Sequence, residues 1–146
     1  MPEISLMPAI GISASGLEAQ NRRMEVIANN MANAQSTRGP DGKVYRRKEV
    51  IFAARLAEAI NADGIDKKLQ GVELQNIVDD QRPPKQVYKP GHPDADENGY
   101  VTMPNINTVE EMVDMMSASR SFEANLAAIR TSKSMANQAL DILKGR

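Results

Sequence analysis

From Asn105 to Lys144 the chain contains neither Pro nor Gly, and this one stretch limits the fold more than any other feature. Within it Met115, Phe122, Ile129, Ala136 and Leu143 recur at seven-residue spacing, all apolar. Met112, Leu126 and Leu140 form a companion row, interrupted by Ser119 and Lys133. A seven-residue period is the seam of a coiled coil or bundle, narrower than the apolar face of a globular helix. Thr108 with Glu111 three residues on predicts a capping box, and Lys144-Gly145 predicts the stop.

The N-terminal end carries the matching pattern. From Pro8, a favourable first helical residue, to Ala34, the residues Ile10, Leu17, Met24 and Met31 recur every seven. Ala14, Ile27 and Ala28 widen that stripe. Gly11 and Gly16 each weaken the helix by about 1 kcal/mol relative to Ala, so this segment needs a packing partner. Its polar side is rich in amides (Gln20, Asn21, Asn29, Asn30, Asn33), which either face water or hydrogen-bond neighbouring helices.

At 1.5 Å per residue the two helices measure about 55 and 40 Å. A compact globule of 146 residues has a diameter near only about 40 Å. Two Phe, three Tyr and no Trp give little bulk for a thick core. The helices are therefore expected to pair with each other and then with helices of other subunits. The candidate interface residues are Ile10, Leu17, Met24, Ile27, Asn30, Met31 and Asn33 on the first helix. On the second they are Met112, Met115, Phe122, Leu126, Ile129, Leu140 and Leu143.

Residues 37–105 differ in character. KVYRRKEVIFAARL and GVELQNIVDD have strand composition, with a Gly- and Asp-containing loop around NADGIDKK between them. KQVYKP and GYVTMP read as short strands on either side of HPDADENG. That loop places Asp94, Asp96, Asn98 and Gly99 as an EF-hand calcium loop would. Its twelfth position is Asn105 rather than Glu, and Pro90, Pro93 and Pro104 exclude flanking helices. The reading that remains is a tight solvated turn. The expected fold class is mainly α with a small β insert: residues 1–36 and 106–146 form a coiled-coil-like helical domain, and 37–105 form the insert.

Eighteen basic against nineteen acidic residues produce no global field for nucleic acid or anionic membrane. The run Arg38, Lys43, Arg46, Arg47 and Lys48 reads as a solvated strand face. There is no Cys, which excludes disulfides and thiolate metal sites. No segment has the length of a membrane span, and the N-terminus lacks the layout of a secretory signal. Gly11-Ile12-Ser13 approaches a nucleophile elbow, but the second Gly falls at residue 16 and no strand precedes it. His92, the single histidine, sits in a Pro/Gly turn. The sequence predicts no catalysis, cofactor or metal.

EVIANNMANAQSTRG (residues 25–39) resembles the N-terminal signature of bacterial flagellar axial proteins, the rod and hook family. YRRKEVIFAA and the block from Tyr88 to Met135, with PGHPDAD and VEEMVDM, are similar to its proximal-rod members in particular. The resemblance implies terminal helices stacked around a central channel, with the β insert outside. It implies export by the flagellar type III apparatus without a cleaved signal, and a location in the basal-body rod within the periplasmic space. It implies as partners other copies of the chain, other rod proteins and the inner-membrane ring region, with neither nucleic acid nor a membrane span. It also implies a structural subunit of the proximal rod that transmits torque. An apolar export-gate motif would fall at Leu6 and Ile10, neither of which is the Phe often found there. Two readings of other classes accompany it: a helical adaptor that binds a partner helix without forming a tube, and a calcium-regulated binding module.

Overall fold

The computed structural model of the chain describes residues 6–39, 41–61 and 64–144, with the backbone alone at 6–9, 56–61, 64–70 and 143–144. Helix α1 (Leu6–Asn33) is followed by strands β1 (Lys48–Asn61), β2 (Gly64–Asp79), β3 (Lys85–Tyr88) and β4 (Tyr100–Met103), then by helix α2 (Thr108–Lys144). The export-gate position Leu6 has its side chain outside the described residues.

The two helices pack antiparallel. A Cβ on Gly16 would lie 2.9 Å from the amide nitrogen of Asn125, and Asn30 bonds Glu111. Low numbers on α1 thus meet high numbers on α2. By that register α2 continues about two and a half turns past the level of Leu6.

The seven-residue row is on the contact side: Met115, Phe122, Ile129 and Ala136 are half-buried. Its companion on that side differs from the expected one. Met112 and Leu140 are each 53% exposed, whereas Glu111 and Ala118 are 1% exposed. With Asn125 and Ser132 they make the second row, alternating three and four residues with the first. These residues are small or polar, so the seam brings the helices close and has little apolar bulk.

The start of α2 is also built differently from the expected box. Asn107 is the cap: its side-chain oxygen accepts the Val109 N–H at 3.2 Å, and its carbonyl accepts the Glu111 N–H at 3.0 Å. Glu111 turns away from the helix end into the interior.

β1 and β2 form one long antiparallel hairpin, paired from Lys48↔Asp79 to Asn61↔Gly64. Residues 61 and 64–68, expected in a loop, are in strands; Ala62 and Asp63 lie outside the described residues. Register shifts at Ile51/Phe52 and Arg55/Leu56 leave an extra residue on β2 each time, bulges that increase the local twist. The hairpin is seated along α1. Ser15 Oγ accepts the Val72 N–H at 3.0 Å and donates to the Ile12 carbonyl at 2.7 Å. Gly71, at φ +127°, permits this approach, since a Cβ there would overlap the Ser15 hydroxyl.

β3 and β4 pair antiparallel around HPDADENG, with Tyr88 and Tyr100 edge to face at 5.3 Å. Asp96 accepts the N–H groups of Asn98 and Tyr100 at 2.9 and 2.7 Å, and Gly99 takes φ +80°. This is a side-chain-built turn. Asp94 accepts the Thr37 hydroxyl at 2.7 Å and lies 3.7 Å from Arg38, which ties the turn to the chain leaving α1.

Candidate assembly surface and the polar clasp beneath it

Among the largest fully buried side chains, two of three are polar: Glu111 and Asn30, beside Val101. Burying them is costly unless every polar atom finds a partner. Asn30 achieves this completely. Its amide nitrogen donates to the Lys48 carbonyl at 2.9 Å and to Glu111 Oε2 at 3.1 Å. Its oxygen accepts the Lys48 N–H at 2.9 Å and the Tyr45 hydroxyl at 3.1 Å. Bonding both backbone groups of Lys48, the amide stands in for a neighbouring strand where β1 begins.

Glu111 Oε1 accepts Arg47 Nε at 2.5 Å. The guanidinium also contacts Glu49, and its Nη2 lies 3.7 Å from Asp114. Burial by itself lowers the Arg47 pKa; the hydrogen bond to Glu111 and the carboxylate charges of Glu111 and Glu49 overcome this and hold it above its ordinary value. Burial, with the charges of Asp79 and Glu111, pushes the Tyr45 phenol above its ordinary value. Arg47 was expected on a solvated strand face, yet its side chain is 15% exposed and lies before β1 begins. A fixed charge buried beneath it is what draws it in.

This clasp joins α1, the entry to β1 and the first turns of α2. Of its members only Asn30 was singled out for assembly. Glu111 shares a seven-residue period with Ala118, Asn125 and Ser132. Spacing alone does not distinguish that row, because its residues share no chemistry that a sequence pattern would carry.

The other candidate interface residues are distributed as follows. Ile27 is buried, and Ile10, Leu17, Met24, Met31 and Asn33 are half-buried. Asn33 caps locally, donating to the Asn29 carbonyl at 2.8 Å. Met115, Phe122, Leu126 and Ile129 are half-buried, Met112 and Leu140 are exposed, and the Leu143 side chain lies outside the described residues. Val109, Met112, Val113 and Met116, spaced as one helical face, are 66%, 53%, 55% and 52% exposed.

The two sequence features weighed for catalysis sit apart, one inside a helix and the other in a turn. Gly11 to Gly16 lie within α1 rather than at a strand-to-helix turn. His92 Nδ1 accepts the Asp94 N–H at 3.1 Å. Among the described residues no three His, Asp or Glu side chains gather to hold a cation, and no helix is long and apolar enough to cross a membrane.

Two sequence profiles match at the two ends of the chain. Residues 10–40 match the flagella basal body rod protein profile, and 97–142 match the flagellar basal body rod FlgEFG protein C-terminal profile. The flagellar basal-body rod protein FlgC of Borreliella burgdorferi is 45% identical, covering 97% of this chain and 100% of its own length. The Salmonella typhimurium FlgC is 45% identical over 95% of this chain and 98% of its own. The chain belongs to the FlgC family of flagellar basal-body rod proteins. The Agrobacterium fabrum FlgC, 39% identical over 95% of this chain and 96% of its own, lies further out in the same family. FlgC relatives thus align with both helices and the strands between them, so the clasp residues fall inside the matched region.

Proposed function

We propose that this chain is a structural subunit of the proximal rod of the flagellar basal body, assembling through its terminal helices into the shaft that transmits torque. The near full-length identity to FlgC proteins carries this reading. The comparisons lend the adaptor alternative no support.

The physical argument runs from the seam outward. A helix pair whose contact rows include Ala118, Asn125 and Ser132 is held close and buries little apolar area, so its stability depends on further neighbours. Neighbouring helices in a tube supply that burial, and long helices with main-chain bonds along the axis resist bending. Residues 1–36 with 106–146 then form the coiled-coil-like axial domain, and 37–105 lie outside it. The interface comprises the row residues together with Asn30 and Asn33. The half-buried state of Met24, Met115, Phe122 and Ile129 favours this reading, since each keeps apolar surface for another helix.

Partners in this reading are further copies of the chain, other rod proteins and the inner-membrane ring region. Export through the flagellar type III apparatus into the periplasmic space, without a cleaved leader, is implied by the resemblance. The role needs stiffness and no catalysis, cofactor or metal. Electron microscopy of basal bodies carrying a label on this chain tests it: the label should lie on the rod next to the inner-membrane ring. Intact basal bodies without the chain would overturn the reading.

A further inference from the structure

Asn98-Gly99 is the only Asn-Gly pair in the sequence. With no side chain on Gly99 to shield its nitrogen, such a pair closes readily into a succinimide. The Gly99 nitrogen attacks the side-chain carbonyl carbon of Asn98 and a C–N bond forms. The side-chain nitrogen leaves as ammonia, taking the Gly99 amide proton with it. Water then opens either carbonyl of the ring, which leaves aspartate or isoaspartate. Asn98 is exposed at the tip of the β3–β4 turn, so water reaches it.

The folded turn opposes this chemistry at the attacking atom. The Gly99 N–H donates to the Asp96 carbonyl at 2.9 Å. No described residue other than glycine has a positive φ, so Asn98 is the third residue of a type I turn, with Gly99 after it at φ +80°. Ring closure requires rotation about the Asn98 Cα–C bond, which swings the Gly99 nitrogen over the side-chain carbon and breaks its bond to Asp96. The neighbours resist that rotation. Asp96 Oδ1 accepts the N–H groups of Asn98 and Tyr100 at 2.9 and 2.7 Å. The Gly99 carbonyl accepts the Lys89 N–H at 2.8 Å. Gly99 itself is buried, and a Cβ on it would lie 3.0 Å from the Tyr88 ring and 3.1 Å from Pro90. The reacting peptide unit is therefore held by Asp96 on one side and by Tyr88, Lys89 and Pro90 on the other.

We infer that Asn98-Gly99 is a deamidation site of this chain, which Asp96 keeps closed in the folded protein. The reaction proceeds only when the β3–β4 turn opens, at a rate set by the open fraction. Its products reclose poorly. Isoaspartate carries the main chain through the former side chain and so lengthens the turn, and either product adds a carboxylate beside Asp96 and Glu97. The same turn is tied to Thr37 and Arg38 through Asp94, so the change also weakens the link between the insert and the end of α1. Deamidation at Asn98 is thus a one-way record of time spent with this turn open.

The test holds the full chain and its Asp96→Ala variant in warm, mildly alkaline buffer, with and without denaturing urea. Peptide mapping by mass spectrometry follows the amide-to-acid change at Asn98, and an isoaspartate methyltransferase labels the rearranged product. In the folded parent the reaction should run about tenfold or more slowly than in urea, because opening gives up several hydrogen bonds. Hydrogen exchange at the Gly99 amide should be slowed by a similar factor, since it needs the same opening. Asp96→Ala should restore most of the lost rate in buffer and leave the rate in urea unchanged. Where that variant does not fold, the parent's two rates and its Gly99 exchange decide alone. Equal rates in buffer and urea, a folded-state rate that Asp96→Ala leaves unchanged, or faster deamidation at another asparagine in urea would overturn the inference. None of these outcomes bears on rod membership.

Discussion

The two ends of the helix pair are built on opposite principles. Where α1 ends and α2 begins, Val26, Ile27, Asn30, Glu111 and Ala118 are buried, and a four-residue polar clasp joins three elements. Where α1 begins and α2 ends, before Ala19 and beyond Ala118, no described side chain on either helix is fully buried. One end is specified by a buried network of directional bonds, and the other by half-covered rows with the exposed Ser15 bond to β2 beside them. The first holds a single subunit in register. The second is adapted to be completed by neighbours. Hydrogen exchange on the dilute subunit should therefore show protection centred on Val26–Asn33 and Glu111–Ala118, with little before Ala19 or after Phe122. Equal protection along both helices would remove the distinction.

The largest mutational effect belongs to the clasp. Arg47→Ala leaves the Glu111 carboxylate buried with only the Asn30 amide beside it, and should cost about 3–5 kcal/mol in urea unfolding. Asn30→Asp should be comparably harmful, since it removes both donors and places a second carboxylate against Glu111. Arg47→Met combined with Glu111→Met should recover much of the loss, because no unpaired charge remains. A cost below about 1 kcal/mol for Arg47→Ala would mean that the pair is no better than a surface ion pair.

At the other end the effect should move from folding to assembly. Phe122 is half-buried, so Phe122→Ala should cost the isolated chain about 2 kcal/mol, below the full-burial range. Phe122→Asp should allow synthesis and export and yet block rod, hook and filament. Arg130→Asp, on an exposed position, should be much milder. Normal swimming by the Phe122→Asp strain would remove the seam from the assembly surface.

What was legible in the sequence divides along the same line. The row through Met115, Phe122, Ile129 and Ala136 was readable because apolar periodicity is carried by each residue on its own. The second row was not, because Glu111, Ala118, Asn125 and Ser132 share no hydrophobic signal; only the fold shows that they are neighbours. Arg47 and Asn30 are side chains whose identity implies water and whose partners, Glu111 above all, lie 64 and 81 residues away. The loop expected around residues 61–68 failed for another reason. Asn, Asp, Gly and Lys have weak strand preference, and here pairing between β1 and β2 overrides it. The turn at Asp94–Gly99 was legible because its chemistry is local.

That turn gives the next effect in size. Asp94→Ala with Asp96→Ala removes acceptors for Thr37, Asn98 and Tyr100, and should cost about 1–2 kcal/mol. Motility should fall modestly and show no calcium dependence. Titration calorimetry that gave stoichiometric calcium binding at micromolar affinity would reverse the reading of the loop.

The smallest effect is a pH dependence that isolates the clasp from everything around it. Tyr45 donates to Asn30, and its phenol is raised in the folded chain by burial and by the Asp79 and Glu111 charges. A phenol raised on folding stays neutral in the native state after it has ionised in the unfolded one. The unfolded state therefore binds fewer protons above pH 10, the ordinary phenol value. Stability must then fall as pH rises through that value and on towards the raised native one, with no change below it. Tyr45→Phe removes the titrating group and one hydrogen bond, so it should lower stability at pH 7 by about 1 kcal/mol. The variant should also lose less than the parent between pH 9 and 11. Parallel alkaline curves for the two proteins would show that the Tyr45 hydroxyl faces water rather than the clasp.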